Sequence, residues 1–181
     1  MRQQARFDWT ANTVRRQFAC HLLTTIALKV GVTAGSGHSC GLKADGTVWC
    51  WGANRWGQLG DGTTDTQRRP VQMLQLDDAI AVSTPGTEKT CVLREDRTMW
   101  CVGENEWGQL GDGTTDDRST LVQVHGLTGV SRIAEGSGRN TNMAFTDAGQ
   151  TYVWGLNRAG ILGLNDLQTG SFATPQRLEG F

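Results

Sequence analysis

The cysteines are the residues whose spacing most directly suggests chemistry. Four of the five form two pairs with the same separation, Cys40 with Cys50 and Cys91 with Cys101. Such a pair can form a disulfide in an oxidising compartment, or stay as two buried thiols in a reducing one. Zinc is disfavoured, because one pair supplies only two of the four ligands that a structural zinc site needs. The fifth cysteine, Cys20, has no counterpart at this spacing.

The acidic loops and the histidines are weaker candidates for chemistry. The acidic runs 61–65 and 112–117 could offer carboxylates to calcium, but they lack the alternating Asp/Asn pattern of a calcium loop. Acids that form turns beside glycine are the simpler interpretation. His21, His38 and His125 accompany no recognisable nucleophile motif. We therefore predict no catalytic residue, no metal site and no cofactor, and a protein that is not an enzyme.

A repeated stretch divides the chain into units, and these units must position the residues named above. Gly-Gln-Leu-Gly-Asp-Gly-Thr-Thr-Asp occupies residues 57–65 and recurs unchanged at 108–116, and an altered copy begins at Gly160. The first cysteine of each pair keeps this register, and Met143 takes its place in the third copy. A period of about 50 residues is typical of a propeller blade. The sequence predicts three repeats, at about 30–79, 80–129 and 130–181.

Each repeat also predicts a β-hairpin, which carries the cysteine pair in the first two repeats. Residues 43–47 have the composition of a tight turn, with Gly46 at a position that favours a positive φ. If the two ends of this turn pair, Cys40 faces Cys50 across the hairpin, within disulfide range. Arg97 replaces the turn glycine in the second repeat, which puts the geometry of that turn in question.

The two faces of the hairpin have different predicted roles. In the third repeat Met143 and Val153 replace the cysteines together, which favours a linked pair over independent thiols. Side chains alternate between the two faces of a strand, so the tryptophans of the strands point away from the cysteines. Apolar residues on both faces suit a strand sandwiched between neighbouring blades. We expect four tryptophans in the core: Trp49, Trp51, Trp100 and Trp154.

The first repeat carries a specific family resemblance. Residues 37–54 read Gly-His-Ser-Cys-Gly-Leu-Lys-Ala-Asp-Gly-Thr-Val-Trp-Cys-Trp-Gly-Ala-Asn, and Gly-Gln-Leu-Gly-Asp-Gly follows after two residues. This pattern resembles the repeat of the regulator of chromosome condensation family, and the paired cysteines resemble repeats of bacterial secreted type. The resemblance covers about residues 30–181 and implies an all-β propeller of four-stranded blades. Three repeats then predict a partial propeller, which belongs to a larger ring or is completed by oligomerisation.

The turns after the second strand of each hairpin offer candidate partner-binding residues. Trp56 and Trp107 occupy a turn position at which the third repeat has alanine, so the fold does not require tryptophan there. Exposed aromatic rings often anchor protein partners, although each ring could instead cover the flank of the next blade. The predicted partner-binding set, with the charged neighbours of these rings, is Arg55, Trp56, Glu106, Trp107 and Arg158.

The first 29 residues do not fit the repeat. Arg15-Arg16-Gln17-Phe18 precedes a short apolar stretch, which resembles a twin-arginine export signal. The alternative is that this segment is the remnant of a worn repeat, covering one flank of the array. The possible signal and the paired cysteines favour an extracellular or periplasmic location over the cytoplasm.

Charge and composition limit the classes of partner. The 181-residue chain has a net charge of −1. Four of its 17 basic residues but only one of its 18 acidic residues lie in the first 20 positions, so the remainder carries a net charge of −4. Nucleic-acid binding is not expected without a basic cluster, and no apolar run has the length of a membrane span.

These observations support one functional interpretation and leave two alternatives. The family resemblance implies a non-enzymatic module that binds a protein partner through the loops of the propeller. Export and paired cysteines would suit an exported inhibitor of an enzyme, and an incomplete ring would suit an accessory or structural subunit of an enzyme assembly. Three repeats are too few for the exchange-factor role known in the family. An isolated arc would also leave two open flanks, which predicts self-association.

Overall fold

The computed structural model of the chain describes residues 30–86, 88–134, 140–164 and 170–180. The described residues form strands and one short 3-10 turn, Arg158–Gly160. The strands are β1 Gly31–Ala34, β2 His38–Leu42, β3 Val48–Gly52, β4 Gln67–Gln72, β5 Ala79–Ser83, β6 Lys89–Arg94, β7 Met99–Gly103, β8 Arg118–Gln123, β9 Val130–Ile133, β10 Thr141–Thr146, β11 Thr151–Asn157 and β12 Gly170–Arg177.

These strands build three four-stranded antiparallel sheets, each a simple meander. The sheets have the orders β1-β2-β3-β4, β5-β6-β7-β8 and β9-β10-β11-β12, and we call them blades one, two and three. The protein is therefore an all-β partial propeller, as the repeats predict. Residues 1–29, on which the export-signal and flank-covering hypotheses rest, lie outside the described residues.

The hairpin turns are held by an acid at the turn and not by glycine alone. In blade one, Asp45 Oδ1 accepts hydrogen bonds from the amide and the hydroxyl of Thr47, at 3.0 and 2.7 Å. Asp96 makes the same two bonds with Thr98 in blade two, at 2.9 and 2.6 Å. Arg97 adopts φ 64°, in the left-handed region that Gly46 also occupies. The second turn therefore keeps the geometry of the first, and its arginine bears the backbone strain.

The register across each hairpin is the predicted one. Cys40 pairs with Cys50 and Cys91 with Cys101, and in blade three Met143 pairs with Val153. The structure joins each cysteine pair in a disulfide, with Cα atoms 4.1 Å apart. All four cysteines are fully buried.

Two apolar cores fill the spaces between consecutive blades. The first lies between blades one and two, where the Cys40–Cys50 face, with Leu59, packs against Val92 and Val102. The second lies between blades two and three, where the Cys91–Cys101 face packs against a different set. That set is Ala144, Trp154 and, partly buried, Tyr152. Blades one and two thus each turn the cysteine face towards the next blade in the chain.

The tryptophans of the strands do not all lie in the core. Trp154 is fully buried between blades two and three, as predicted. Trp49 and Trp51 are half-buried and belong to neither core, so the prediction is wrong for these two, whereas the half-buried Trp100 packs against the first core. For Trp49 and Trp51 the reason is that their face of blade one has no described blade packed against it.

Strand β4 contains a proline. The strand begins at Gln67, and Pro70 lies inside it. Strand β4 is the outer strand of its sheet. An outer strand tolerates proline because the missing amide hydrogen would have faced away from the sheet.

Candidate protein-binding surface

The turn that follows the second strand of each hairpin is built on a buried asparagine. Asn54 Oδ1 accepts the amide hydrogen of Leu59 at 3.0 Å, and its Nδ2 donates to the Thr63 carbonyl at 3.1 Å. Leu59 is fully buried and anchors the turn in the core. The equivalent Oδ1 bonds join Asn105 to Leu110 at 2.8 Å and Asn157 to Leu162 at 3.1 Å.

The acids of these turns brace the backbone. Asp61 Oδ1 accepts bonds from the amide and hydroxyl of Thr63, at 3.0 and 2.8 Å. Asp112 accepts the matching hydrogen bonds from Thr114. It also forms an ion pair with Arg118, at 3.1 Å. Burial would raise the pKa of both carboxyls, but these hydrogen bonds hold each pKa below its ordinary value. The carboxylates are thus occupied by their own loops, which supports the turn-forming interpretation over a calcium site.

The repeated stretch joins consecutive blades. The Gln58 carbonyl of blade one accepts a hydrogen bond from the Thr90 hydroxyl of blade two, at 2.7 Å. The Gly62 amide donates to the Ser119 carbonyl of strand β8, at 3.0 Å. A Cβ on Gly57 would lie 2.5 Å from the Ser119 Cα, so only glycine permits this approach. We call this contact the inter-blade clasp.

A second clasp joins blades two and three at the equivalent positions. The Gln109 carbonyl accepts a bond from the Trp154 Nε1–H at 3.1 Å, and another from the Asn142 side-chain amide. The Gly113 amide donates to the Ala173 carbonyl of strand β12, at 2.9 Å. The two identical copies of the nine-residue stretch therefore have the same architectural role.

The predicted partner-binding residues lie on these same turns, beside the clasps. Arg55, Glu106 and Arg158 are exposed, and Trp56 and Trp107 are half-buried. The Arg55 guanidinium lies over the Trp56 ring, 4.9 Å from its centroid. The Gln58 and Gln109 side chains fix the main-chain amides of the two tryptophans, at 3.0 and 2.8 Å. The backbone that carries each of the two rings is thus held in place.

The five predicted positions occupy the same place in three consecutive blades. They follow β3, β7 and β11, and their charged tips alternate in sign from Arg55 to Glu106 to Arg158. We call this row of turn tips the turn surface. Its neighbours Asn54, Gln58 and Leu59 are buried and bonded within the fold. In blades one and two, the turn tips are therefore exposed beside buried residues of the turn that forms the clasp, which we call the clasp turn.

Two buried polar residues, His38 and Lys89, occupy the same repeat position between consecutive blades. His38 Nε2 lies 2.8 Å from the Thr90 hydroxyl, which itself donates to the Gln58 carbonyl, so His38 contributes the hydrogen of that bond. Lys89, at the same position in blade two, is 1% exposed and donates to the Thr141 carbonyl of blade three at 3.2 Å. Burial lowers the pKa of Lys89 to about 7, against the attraction of Glu104 and Glu88, which would raise it.

The described residues provide neither a metal-binding cluster nor a membrane-spanning helix. Within the described ranges, no group of three or more His, Cys, Asp or Glu side chains is placed to hold a metal ion. No helix in this part of the chain has the length and apolar character needed to cross a membrane.

The sequence also matches a known repeat family. The model of the Regulator of chromosome condensation (RCC1) repeat matches residues 45–87, and a second model of the same repeat matches residues 30–58. Residues 30–87 of the chain carry RCC1 repeats. Its three blades are RCC1-like blades, and its inter-blade clasps are contacts between consecutive repeats.

Similar sequences occur as parts of much larger RCC1-repeat proteins. The chain is 33% identical over 129 residues to the E3 ubiquitin-protein ligase HERC2 of Mus musculus, covering 70% of this chain and 3% of the ligase. It is 30% identical over 138 residues to the X-linked retinitis pigmentosa GTPase regulator of Canis lupus familiaris, covering 75% of this chain and 14% of the regulator. The chain thus spans a small fraction of these relatives.

Two solved structures share the fold. Human WBSCR16 superposes with a TM-score of 0.71 at 22% identity, covering 83% of this chain and 39% of that one. Prp20p of Saccharomyces cerevisiae superposes with a TM-score of 0.70 at 17% identity, covering 83% of this chain and 38% of that one. The three blades therefore correspond to about two fifths of each of these chains.

Proposed function

We propose that the chain is a non-enzymatic protein-interaction module that binds a protein partner through the turn surface. The observation that carries this proposal is the separation of roles within each clasp turn. Asn54, Gln58 and Leu59 are used by the fold, whereas Arg55 and Trp56 project beside them from rigid backbone. Rigid aromatic and arginine side chains are the residue types that most often dominate binding energy at interfaces.

The relatives support this proposal at a coarse level. Prp20p of Saccharomyces cerevisiae has binding properties towards Gsp1p and histones. HERC2 is a ligase, but the chain corresponds to only 3% of it. We propose that this chain contributes binding and no catalysis. With a net charge of −1 it is not expected to bind nucleic acid, and we propose neither a membrane surface nor a cofactor as its ligand.

The alternation of charge defines the kind of partner surface that would fit. A partner that complements Arg55, Glu106 and Arg158 presents acidic, basic and acidic groups in that order, with apolar contacts for Trp56 and Trp107. Charges at the rim of an interface contribute mainly to association rate and specificity, and central aromatic anchors contribute more of the affinity.

Site-specific photo-crosslinking tests this proposal. A crosslinking amino acid is placed at Arg55, Glu106 or Arg158, and at the exposed positions Gln75 and Thr128 as controls. We expect one protein of the source organism to crosslink from all three turns and from neither control. With that protein purified, Trp56→Ala and Trp107→Ala should each weaken binding about 10-fold or more. Equal crosslinking from the control positions, or unchanged affinity in both variants, would contradict the proposal.

An exported inhibitor is a second candidate, which the two disulfides favour. Disulfides persist mainly in oxidising compartments, so we propose an extracellular or periplasmic location. Expression of the full chain in a bacterium with a twin-arginine system, as wild type and as Arg15→Lys/Arg16→Lys, tests the export hypothesis. Export that depends on the arginine pair is the expected result, and retention of both proteins in the cytoplasm would contradict it.

A further inference from the structure

Among the described residues, no blade covers the face of blade one that blades two and three bury against their predecessors. On this face Val32 is 78% exposed, and Trp49 and Trp51 are half-buried. These three residues and Pro70 line an open, largely apolar groove of about 710 Å³. An apolar sheet face of this kind usually marks an interaction surface.

The structure shows twice how such a face is covered. Blade two places Thr90, Val102 and Ser119 against the clasp turn of blade one, and Thr90 donates to the Gln58 carbonyl. Blade three places Asn142, Trp154 and Ala173 against the clasp turn of blade two, and both Asn142 and Trp154 donate to the Gln109 carbonyl. By strand register, the positions of blade one that correspond to these contact residues are Ser39, Trp51 and Arg68.

Blade three carries a third clasp turn, already formed. Asn157 Oδ1 accepts the Leu162 amide hydrogen at 3.1 Å, as the asparagines of the first two turns do with their leucines. Ile161, at the position of Gln58 and Gln109, is 63% exposed. A Cβ built on Gly160 would meet nothing within 4 Å, whereas a Cβ on Gly57 or Gly108 would collide with the outer strand of the next blade. Among the described residues, no blade is seated on this turn.

We propose that blade one of a second copy of this chain docks on the clasp turn of blade three, making a head-to-tail assembly. In this contact the Trp51 Nε1–H donates to the Ile161 carbonyl of the other copy, as Trp154 donates to Gln109. The Ser39 hydroxyl donates to the same carbonyl, as Thr90 does to Gln58. The two surfaces are different patches of one chain, so the interface is heterologous. A second copy is the occupant because both halves of the contact already exist in one chain, in the register of its two internal interfaces.

The first test is the mass of the full 181-residue chain in solution, measured by light scattering across a wide range of protein concentration. The proposal predicts a mass of two or more chains that falls towards one chain on dilution. Trp51→Glu and Ile161→Glu should each shift the mass to one chain at every concentration. Thr128→Glu adds the same charge at an exposed position of the loop between β8 and β9 and should leave assembly unchanged. Both interface positions are partly or largely exposed in one chain, so circular dichroism of each variant should match wild type.

Mixing the two interface variants tests the head-to-tail geometry. Trp51→Glu retains the blade-three turn and Ile161→Glu retains the blade-one face, so the mixture can form one intact contact. We expect a mass of two chains in the mixture and of one chain in each variant alone. A mixture that stays at one chain, although wild type assembles, would overturn the proposal. So would a wild-type chain that remains monomeric, as it would if residues 1–29 of the same chain covered blade one.

Discussion

The side chain of Asn105 holds its turn at several points. Its Oδ1 accepts the Leu110 amide hydrogen at 2.8 Å, and its Nδ2 donates to the Thr114 carbonyl at 3.1 Å. The main-chain N–H of Asn105 donates to Asp117 Oδ1 at 2.8 Å. The residue is fully buried. The adjacent residue, Glu106, is exposed and belongs to the turn surface. The residue that supports this turn thus lies next to a residue that we propose for partner binding.

Replacing this asparagine should therefore destabilise the protein. Asn105→Ala leaves the Leu110 amide buried without its partner, which costs about 1–3 kcal/mol of the free energy of unfolding. Glu106→Ala is the control and should change that free energy by less than about 0.5 kcal/mol. Urea unfolding of both variants provides the measurement. Equal stability of the two would mean that the asparagine bonds do not support the turn.

Lys89 should give the protein an unusual dependence of stability on alkaline pH. Burial lowers the pKa of this amine from 10.5 to about 7, so between these values the unfolded chain binds a proton that the folded chain does not. The free energy of unfolding should then rise with pH over this interval, by up to about 1.4 kcal/mol per pH unit. Lys89→Met should remove this rise. Urea unfolding at several pH values tests the effect, and parallel curves for wild type and variant would contradict it.

At the scale of elements, the clasp turn connects one blade to the outer strand of the next. Gly57 has φ 76° and Gly160 has φ 71°, so alanine is strained at both. Only at Gly57 would the added Cβ also collide with strand β8, at 2.5 Å from the Ser119 Cα. Comparing these two glycines therefore distinguishes the need for a positive φ in the turn from the need for space at the contact between blades.

The difference between these two glycines is measurable. Gly57→Ala should cost about 1–3 kcal/mol more of the free energy of unfolding than Gly160→Ala, because only the first overpacks a contact between blades. Both substitutions are made in the Trp51→Glu background, where self-association does not contribute. Equal losses would show that the turn conformation alone, and not the approach of the two blades, requires glycine.

The hairpins β2–β3 and β6–β7 each carry a disulfide that blade three replaces with Met143 and Val153. In the chain-entropy account, a disulfide that closes a loop of this length stabilises the fold by about 2–3 kcal/mol. Reductant should therefore lower the urea midpoint of wild type. It should leave unchanged a variant in which alanine replaces the four cysteines Cys40, Cys50, Cys91 and Cys101. Intact mass under non-reducing conditions checks the pairing, and a mass that corresponds to five free thiols would contradict it.

At the scale of the whole molecule, the blades differ in how much of their surface is covered. Blade two lies between the two apolar cores, and strand β6 is buried along nearly its whole length. Strands β2 and β10 alternate between buried and partly buried residues, because one face of each outer blade is not packed against another described blade. Repeat arrays of this kind gain stability from contacts between neighbours.

Native-state hydrogen exchange should therefore show a gradient along the array. In the monomeric Trp51→Glu variant, amides of β6 and β7 should exchange at the highest free energy of opening, close to that of global unfolding. Amides of β2 and β10 should open at lower free energy, because the outer blades can separate while blade two stays folded. Uniform protection across the three blades would indicate one cooperative unit.

Much of each blade could be predicted from sequence because its contacts are local. The pairing of Cys40 with Cys50 follows from a short turn and the alternation of side chains along a strand, and the structure has that register. The burial of Trp49 and Trp51 could not be predicted in this way. Their exposure depends on whether another blade covers them, and alternation along a strand carries no information about that.

The order of residues was sufficient to establish the repeat period, the hairpins, the register of the cysteine pairs and the family of the repeats. The packing of the blades was needed to show that the Gly-Gln-Leu-Gly stretch connects consecutive blades. The groups that make this connection are the Gln58 carbonyl, which accepts a hydrogen bond from Thr90, and the Gly57 α-carbon, which lies against Ser119. A main-chain carbonyl is the same in every residue, so its partner is set by how the blades pack and leaves no signature in the sequence.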